Sequence, residues 1–284
     1  MIPHRIASLS LVLALGVAAS AAGEELTPPW IGYDVGTSAY PGNEEAFERD
    51  PTAIATADFN GDGLLDVAVS NYEYAAPGGG TDGMSGFALI FNQGDGTYGP
   101  PVHTTVSSLG CWDIVAADFD EDGDPDVAVS ICDTFHETGQ TARVYWNDGA
   151  GAFPTFRTLV VGQGPIGLAA GDFDGDGDLD LAAANHRPYQ EQSSVSILLG
   201  NGAGNFAGAA TYMVSRRARK LEAGDLNGDQ RDDLVVAHDW QEVSVLLAQP
   251  GGTFGPPVAY GQLFVYHDAM LHASVALADT DRDG

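Results

Sequence analysis

Apolar residues fall along this chain in short runs, and polar, glycine-rich segments punctuate them at regular spacing. One run, such as TAIATA, DIVAA or IGLAAG, enters an acidic loop. A second leaves it: DVAVSN from Asp66, DVAVSI from Asp126, DLAAAN from Asp180 and DLVVAH from Asp233. A third leads into a Gly-rich turn, as in FALIFNQGDGTYG, ARVYWNDGAGAF, VSILLGNGAGNF and VSVLLAQPGGTFG. A fourth, such as TFRTLVV or AATYMV, carries the chain into the next unit. Runs this short, rich in Val, Ile, Leu and Ala and bounded by Gly, Asn and Asp, predict β-strands joined by tight turns.

The acidic loops recur. They begin at Asp58 (DFNGDGLLD), Asp118 (DFDEDGDPD), Asp172 (DFDGDGDLD), Asp225 (DLNGDQRDD) and Asp279 (DTDRDG), at intervals of 60, 54, 53 and 54 residues. A unit of four strands reused at a fixed period is a propeller blade. The predicted fold class is therefore all-β, a β-propeller of four-stranded antiparallel blades with the acidic loop between the first two strands of each. The blades are expected at 51–107, 108–161, 162–214 and 215–265, with the start of a fifth at 266–284.

The third loop states its chemistry most plainly, with five aspartates on alternate positions from Asp172 to Asp180. Two carboxylates about 4 Å apart repel by roughly 4 kcal/mol at an effective dielectric near 20, so so dense a cluster calls for a cation. All-oxygen donors in a flexible loop favour calcium over magnesium, and no Cys or His in the loop supplies the softer ligands of zinc. Gly177 stands at the sixth position, where a sharp bend with positive φ costs least.

Charge agrees with this reading. The formal charge is −29, from 40 acidic and 11 basic residues, and 21 of the acids lie inside the five loops. The acidity is local ligand supply, and the balance argues against nucleic acid or an anionic membrane as partner.

Residues 1–21 read as a secretory signal. Arg5 gives the basic start, Ile6 to about Ala19 the apolar stretch, and Ala19, Ser20 and Ala21 the small residues of a cleavage site. A membrane anchor, the alternative, needs about 20 apolar residues. Export would allow a disulfide between Cys111 and Cys132, which flank the second loop and would face each other across its hairpin; two buried thiols are the alternative.

The repeated DxDxDG-type loops between β-runs resemble the FG-GAP and VCBS repeat family, over about Pro51 to Gly284. That resemblance implies an integrin-α-like propeller in which side chains at loop positions 1, 3, 5 and 9 and the carbonyl at position 7 hold calcium. The first site would be Asp58, Asn60, Asp62, Leu64 (carbonyl) and Asp66, and the second Asp118, Asp120, Asp122, Asp124 (carbonyl) and Asp126. The third would be Asp172, Asp174, Asp176, Asp178 (carbonyl) and Asp180. The fourth, Asp225, Asn227, Asp229, Arg231 (carbonyl) and Asp233, has Gln230 where the others have glycine and is expected to be the weakest. Asp279, Asp281 and Asp283 begin a fifth. An EF-hand or dockerin needs helices around the loop, and Pro125 would sit badly in a helical exit; thrombospondin-type arrays lack the intervening strands.

Because the chain stops at Gly284 inside a loop, a fragment of a six- to eight-bladed propeller is expected, with seven favoured. The segment 22–50 contains PPWIGYDVGTSAYP, which looks like a fourth-strand segment and would supply a closing strand.

The connection between second and third strands varies in length from blade to blade, and variable loops on a fixed scaffold are where recognition concentrates. In propeller topology these loops share a face with the blade-to-blade connections, opposite the acidic loops. That face would carry Tyr72, Tyr74, Trp112, His136, His186, Arg187, Tyr189, His238 and Trp240, with Arg216 and Arg217 in the segment SRRARK. Aromatics suit sugar rings or a protein partner; the blander alternative is that many are plugs between blades. No catalytic constellation emerges: GQGPIG contains Pro165 and precedes a strand, HETGQ lacks a second zinc-protease His, and GMSG lacks nucleophile-elbow spacing. The expected function is a secreted, monomeric, calcium-binding module for a glycan or extracellular protein, without membrane insertion. A polysaccharide lyase or hydrolase on the same scaffold, or a structural module of a larger cell-surface protein, are the alternatives.

Overall fold

The computed structural model describes residues 49–73, 85–107, 109–133, 138–187, 192–239, 242–261 and 275–277. The first strands are β1 (Arg49–Ala57), β2 (Asp66–Glu73), β3 (Ser85–Ile90) and β4 (Val102–Ser107). They are followed by β5 (Gly110–Ala117), β6 (Asp126–Asp133), β7 (Thr138–Trp146) and β8 (Thr155–Val160). Next come β9 (Pro165–Gly171), β10 (Asp180–Asn185), β11 (Ser193–Leu198) and β12 (Ala210–Val214). The last set is β13 (Ala218–Gly224), β14 (Asp233–His238), β15 (Glu242–Leu246) and β18 (Val258–Tyr260), with β16 (Ala248–Gln249) and β17 (Thr253–Phe254) as a small hairpin within its final turn. No helix occurs among the described residues.

Each set is a four-stranded antiparallel meander in chain order. Short apolar runs joined by tight Gly turns can pair only with their sequence neighbours, which dictates this order. Central strands such as β10, β11 and β14 are buried throughout, whereas the outer strands β8 and β12 are largely exposed. Strands apolar on both sides require cover on both sides, so the sheets stack face to face.

Three apolar cores lie between neighbouring sheets. Phe59, Phe87 and Leu89 of the first pack with Ile114, Val129, Ile131 and Tyr145 of the second. Val144 and Leu159 meet Leu168, Leu181 and Leu198. Val195 and Ile197 meet Leu221, Leu234 and Val236. The first strands β1, β5, β9 and β13 touch in succession, so they line the inner side of a radial stack. That is a β-propeller, and four of its blades are described.

A buried phenylalanine at the second position of each of the first three acidic loops couples one blade to the next. Phe59, Phe119 and Phe173 each meet, edge to face, the aromatic that closes the following blade's Gly-rich turn. The centroid separations are 6.2 Å for Phe59–Phe153, 5.7 Å for Phe119–Phe206 and 5.6 Å for Phe173–Phe254.

The register also decides the cysteines. Cys111 pairs with Ile131 and Gly110 with Cys132, so the two cysteines are offset by one residue. Side chains alternate along a strand, and this offset sends the thiols to opposite faces of the sheet. No disulfide joins them, and both are buried, which corrects the bridge expected from their spacing. Burial pushes the Cys111 thiol up to about 12, against a smaller opposing pull from Arg143.

Candidate metal centre

The acidic loops connect β1 to β2, β5 to β6, β9 to β10 and β13 to β14, and all lie at one end of the strands. Their first aspartates gather backbone N–H groups. Asp58 accepts from Asp62 and Gly63, and Asp118 from Gly123. Asp172 accepts from Gly175 and Gly177. The fifth-position carboxylate accepts from the seventh residue's N–H in all four described loops: Leu64 to Asp62, Asp124 to Asp122, Asp178 to Asp176 and Arg231 to Asp229. These bonds fix the peptide unit between the sixth and seventh residues, just ahead of the carbonyl that the seventh residue offers.

The ninth-position aspartates do more than their spacing suggested. Asp66, Asp126, Asp180 and Asp233 are all buried. One oxygen of each accepts from the second loop residue, namely Phe59, Phe119, Phe173 and Leu226. The other accepts from the Gly-rich turn, at Asn92, Asn147, Gly200 and Ala248. Each carboxylate thus ties two turns of its own blade together. Asn147 extends the tie by donating to Pro125 and to Phe59 of the preceding blade, at 3.0 and 2.9 Å. Burial is the first cause that raises these groups: Asp126 and Asp180 are pushed up to about 7, and Asp66 and Asp233 move in the same direction.

The loops do not gather their carboxylates equally. In the second, one oxygen from each of Asp118, Asp120 and Asp126 lies within 4.8 Å of the others, and in the third the same holds for Asp172, Asp174 and Asp176. Asp118 Oδ1 and Asp120 Oδ1 are buried with no hydrogen-bond partner among the described residues. Buried oxygens without donors, on carboxylates gathered this closely, fit a hard cation. Burial, then Asp122, raises Asp120; burial, then Asp176, raises Asp174.

In the first loop the amide of Asn60 donates to Asp62 at 3.1 Å. In the fourth, Asn227 donates to Asp233 at 3.2 Å and Arg231 closes an ion pair of 2.5 Å on Asp229. Gln230 takes φ 66° where Gly63, Gly123 and Gly177 have 83°, 95° and 98°. Asp279, Asp281 and Asp283 lie outside the described residues.

The opposite end of the wheel carries a second repeated feature, which sequence reading missed. Each blade has a bulge where its first strand begins, so one or two residues there have no cross-strand partner: Thr52, Trp112 with Asp113, Ile166, and Arg219. Bulges re-aim side chains. Trp112 packs against Tyr72, with ring centroids 4.9 Å apart and planes tilted by 40°, and donates its indole N–H to the Cys132 carbonyl. Gly110 must be glycine here, since a Cβ would stand 2.1 Å from the Tyr72 ring. Asp113 is buried and receives Leu168 N–H at 2.8 Å and Lys220 Nζ at 2.7 Å, linking three blades. Burial raises its carboxyl, with Lys220 opposing. An isolated aspartate between a tryptophan and an isoleucine offered little signal for this role.

On the same end, Asp239 sits among His186 at 3.5 Å, Arg219 at 3.5 Å and Arg217 at 3.8 Å. Burial tends to raise Asp239, but His186, Arg219 and Arg217 outweigh it and hold it below the usual carboxylate range. Arg187 lies at the edge, its N–H directed at Ser193 Oγ, and Arg216 gives its carbonyl to His238 Nδ1. His238 was expected on the ligand face; it is instead fully buried, with Nε2 against Ser244 Oγ, and is a plug that pins the turn before β13. Tyr74, His136, Tyr189 and Trp240 lie outside the described residues.

FG-GAP-like repeats match residues 72–129, 134–183, 172–236 and 225–284, and an FG-GAP repeat matches 51–90. The chain belongs to the FG-GAP repeat family. FG-GAP repeats are typical of extracellular proteins, and no helix among the described residues is long and apolar enough to cross a membrane. Among similar solved structures is the Dos1 propeller, 9% identical with a TM-score of 0.44, aligned over 81% of this chain and 63% of that one. The chain thus spans less than two thirds of that chain's length. No curated protein matches this FG-GAP chain.

Proposed function

We propose that this FG-GAP propeller is a secreted calcium-binding module whose ions rigidify one end of the wheel while the other end binds a glycan or an extracellular protein. The observation that carries calcium is that Asp118 and Asp120 each hold a buried oxygen with no hydrogen-bond partner among the described residues, on carboxylates that approach Asp126. Asp122 and the Asp124 carbonyl would complete that set, and Asp172, Asp174, Asp176, Asp180 and the Asp178 carbonyl the equivalent one. An ion there would lower the mutual repulsion of carboxylates that the fold already crowds, and a flexible oxygen cage of this kind suits millimolar extracellular calcium. Export is supported by the basic, apolar and small-residue order of residues 1–21. A binding role for the opposite end is supported by the tilted Tyr72–Trp112 pair and by its arginines, side chain types enriched at recognition hot spots.

Calcium titration followed by chelation tests the reading. With affinities on the order of 10⁻⁴ M, calcium at 100 times Kd adds about 2.7 kcal/mol per site, and a chelator should lower the thermal midpoint correspondingly. An unchanged midpoint, with no calorimetric heat of calcium binding, removes calcium from the proposal.

A further inference from the structure

Asp232 stands at the eighth position of the fourth acidic loop, outside the alternate positions that would supply metal ligands. Both its carboxylate and its peptide N–H reach the third loop instead of its own. Asp232 Oδ2 accepts from the Asp172 N–H at 3.0 Å, and the Asp232 N–H donates to the Asp172 carbonyl at 2.8 Å. A residue of the fourth blade thus closes a reciprocal pair of hydrogen bonds on a residue 60 positions earlier, in the third blade.

Asp172 is the first aspartate of the third loop. Its carboxylate accepts from Gly175 and Gly177 and gathers with Asp174 and Asp176. The ladder between β9 and β10 ends at the Gly171–Asp180 pair, so Asp172 is the first residue beyond it. Asp232 takes over where the ladder stops. With its N–H and its carbonyl both held, the Asp172 backbone is fixed on either side of Cα, and the direction of its Cα–Cβ bond is set.

Neighbouring residues are fitted to this contact. Gly171 is buried, and a Cβ there would stand 2.7 Å from Asp232 Oδ2, so the glycine leaves the space that the carboxylate fills. The first and second blades have alanine at this strand position, Ala57 and Ala117, and in the fourth a Cβ on Gly224 would lie 3.1 Å from Leu277. Arg231 adds a second contact: a Cβ on Gly175 would stand 3.0 Å from its Cγ, so its stem lies against the third loop while its guanidinium pairs with Asp229.

The other described blade pairs are joined differently. The eighth residue of the second loop is Pro125, which has no N–H, and that of the third is Leu179, whose side chain has no acceptor. Neither can make both bonds to the first aspartate of the preceding loop. Between the first and second blades, Asn147 donates to the Phe59 carbonyl instead.

Groups that hydrogen-bond a metal-holding residue orient it, and their loss typically costs about 10–100-fold in metal affinity. We propose that Asp232 is a positioning residue for calcium in the third loop: it fixes Asp172 from the next blade, so the fourth loop sets the affinity of a site to which it gives no ligand. By reciprocity, an ion in the third loop tightens the seam between the third and fourth blades. This rests on the calcium reading of the third loop.

Calcium calorimetry on the full chain tests it. Asp232→Ala should weaken one class of site by about tenfold or more, whereas Asp232→Asn, whose side-chain oxygen can still accept from the Asp172 N–H, should stay within about threefold of the parent. The loss should vanish once Asp176→Ala has disabled the third loop, and persist when Asp122→Ala has disabled the second. A cooperative melt in chelator shows that a variant is folded. Should Asp232→Ala not fold, Gly171→Ala, whose methyl crowds Asp232 Oδ2, should weaken the same site and decides in its place. Unchanged affinity in Asp232→Ala, an equal loss in Asp232→Asn, which would mean that charge alone acts, or a loss that survives Asp176→Ala overturns the proposal and leaves calcium standing. A parent chain that takes up no calcium overturns both.

Discussion

The third and fourth acidic loops share aspartates at positions 1, 5 and 9, yet they present different chemistry. In the third, Gly177 takes the bend and Asp172, Asp174 and Asp176 converge on a common point. In the fourth, Asn227 turns to Asp233 and Arg231 draws Asp229 into an ion pair. An arginine within the loop already neutralises one of its carboxylates, so carboxylate spacing alone does not make two loops equivalent. What matters is whether the loop contains its own counter-charge.

Paired substitutions at the fifth position should break the equivalence most strongly. In saturating calcium, Asp176→Ala removes a proposed ligand and should cost about 2–3 kcal/mol, whereas Asp229→Ala loses a partly exposed ion pair and should cost less than about 1 kcal/mol. Chemical denaturation with and without calcium measures both, and equal losses would contradict the distinction.

Protonation offers a second handle. The folded values of Asp126 and Asp180 are raised by burial from 3.8 to about 7, so their favourable contribution is present at low pH and is lost as pH rises through that value. In chelator the thermal midpoint should fall between about pH 4 and pH 7. Calcium, by favouring the ionised carboxylates, should flatten that fall; parallel curves with and without calcium would show that these groups do not meet the ion.

Smaller changes sharpen the contrast. Gln230→Gly with Arg231→Leu should release Asp229 and add a calcium to the calorimetric stoichiometry. Glu121 in the second loop holds φ 58° where Gly61, Gly175 and Gly228 stand in the others, and its carboxyl is raised first by Asp178 of the next blade. Glu121→Gly should therefore raise the midpoint, by about 1–3 °C from the backbone term alone.

Much of this was legible in the chain. The loops, their period and the four runs per unit are local patterns, and a strand meander needs no more than local order. The Gly-rich runs of the second to fourth repeats each end on a phenylalanine, Phe153, Phe206 and Phe254, but the cause is not local, because each packs against a phenylalanine of the preceding blade. The cysteines failed for a different reason: spacing around a loop predicts proximity, while a one-residue register offset decides which face a side chain takes. His238, read as a ligand-face residue, is enclosed by β13 and β15, which flank its own strand.

The repeat, the acidic loops and their charge were determined by sequence alone, because alternation of apolar runs with Gly and Asp turns acts over a few residues. Tertiary structure decided which loops gather their carboxylates, where the bulges release Trp112 and Arg219, and how Asp113 meets Lys220 from two blades away. Those outcomes depend on contacts between segments distant in the chain, and only the stacking of whole blades brings such segments within reach.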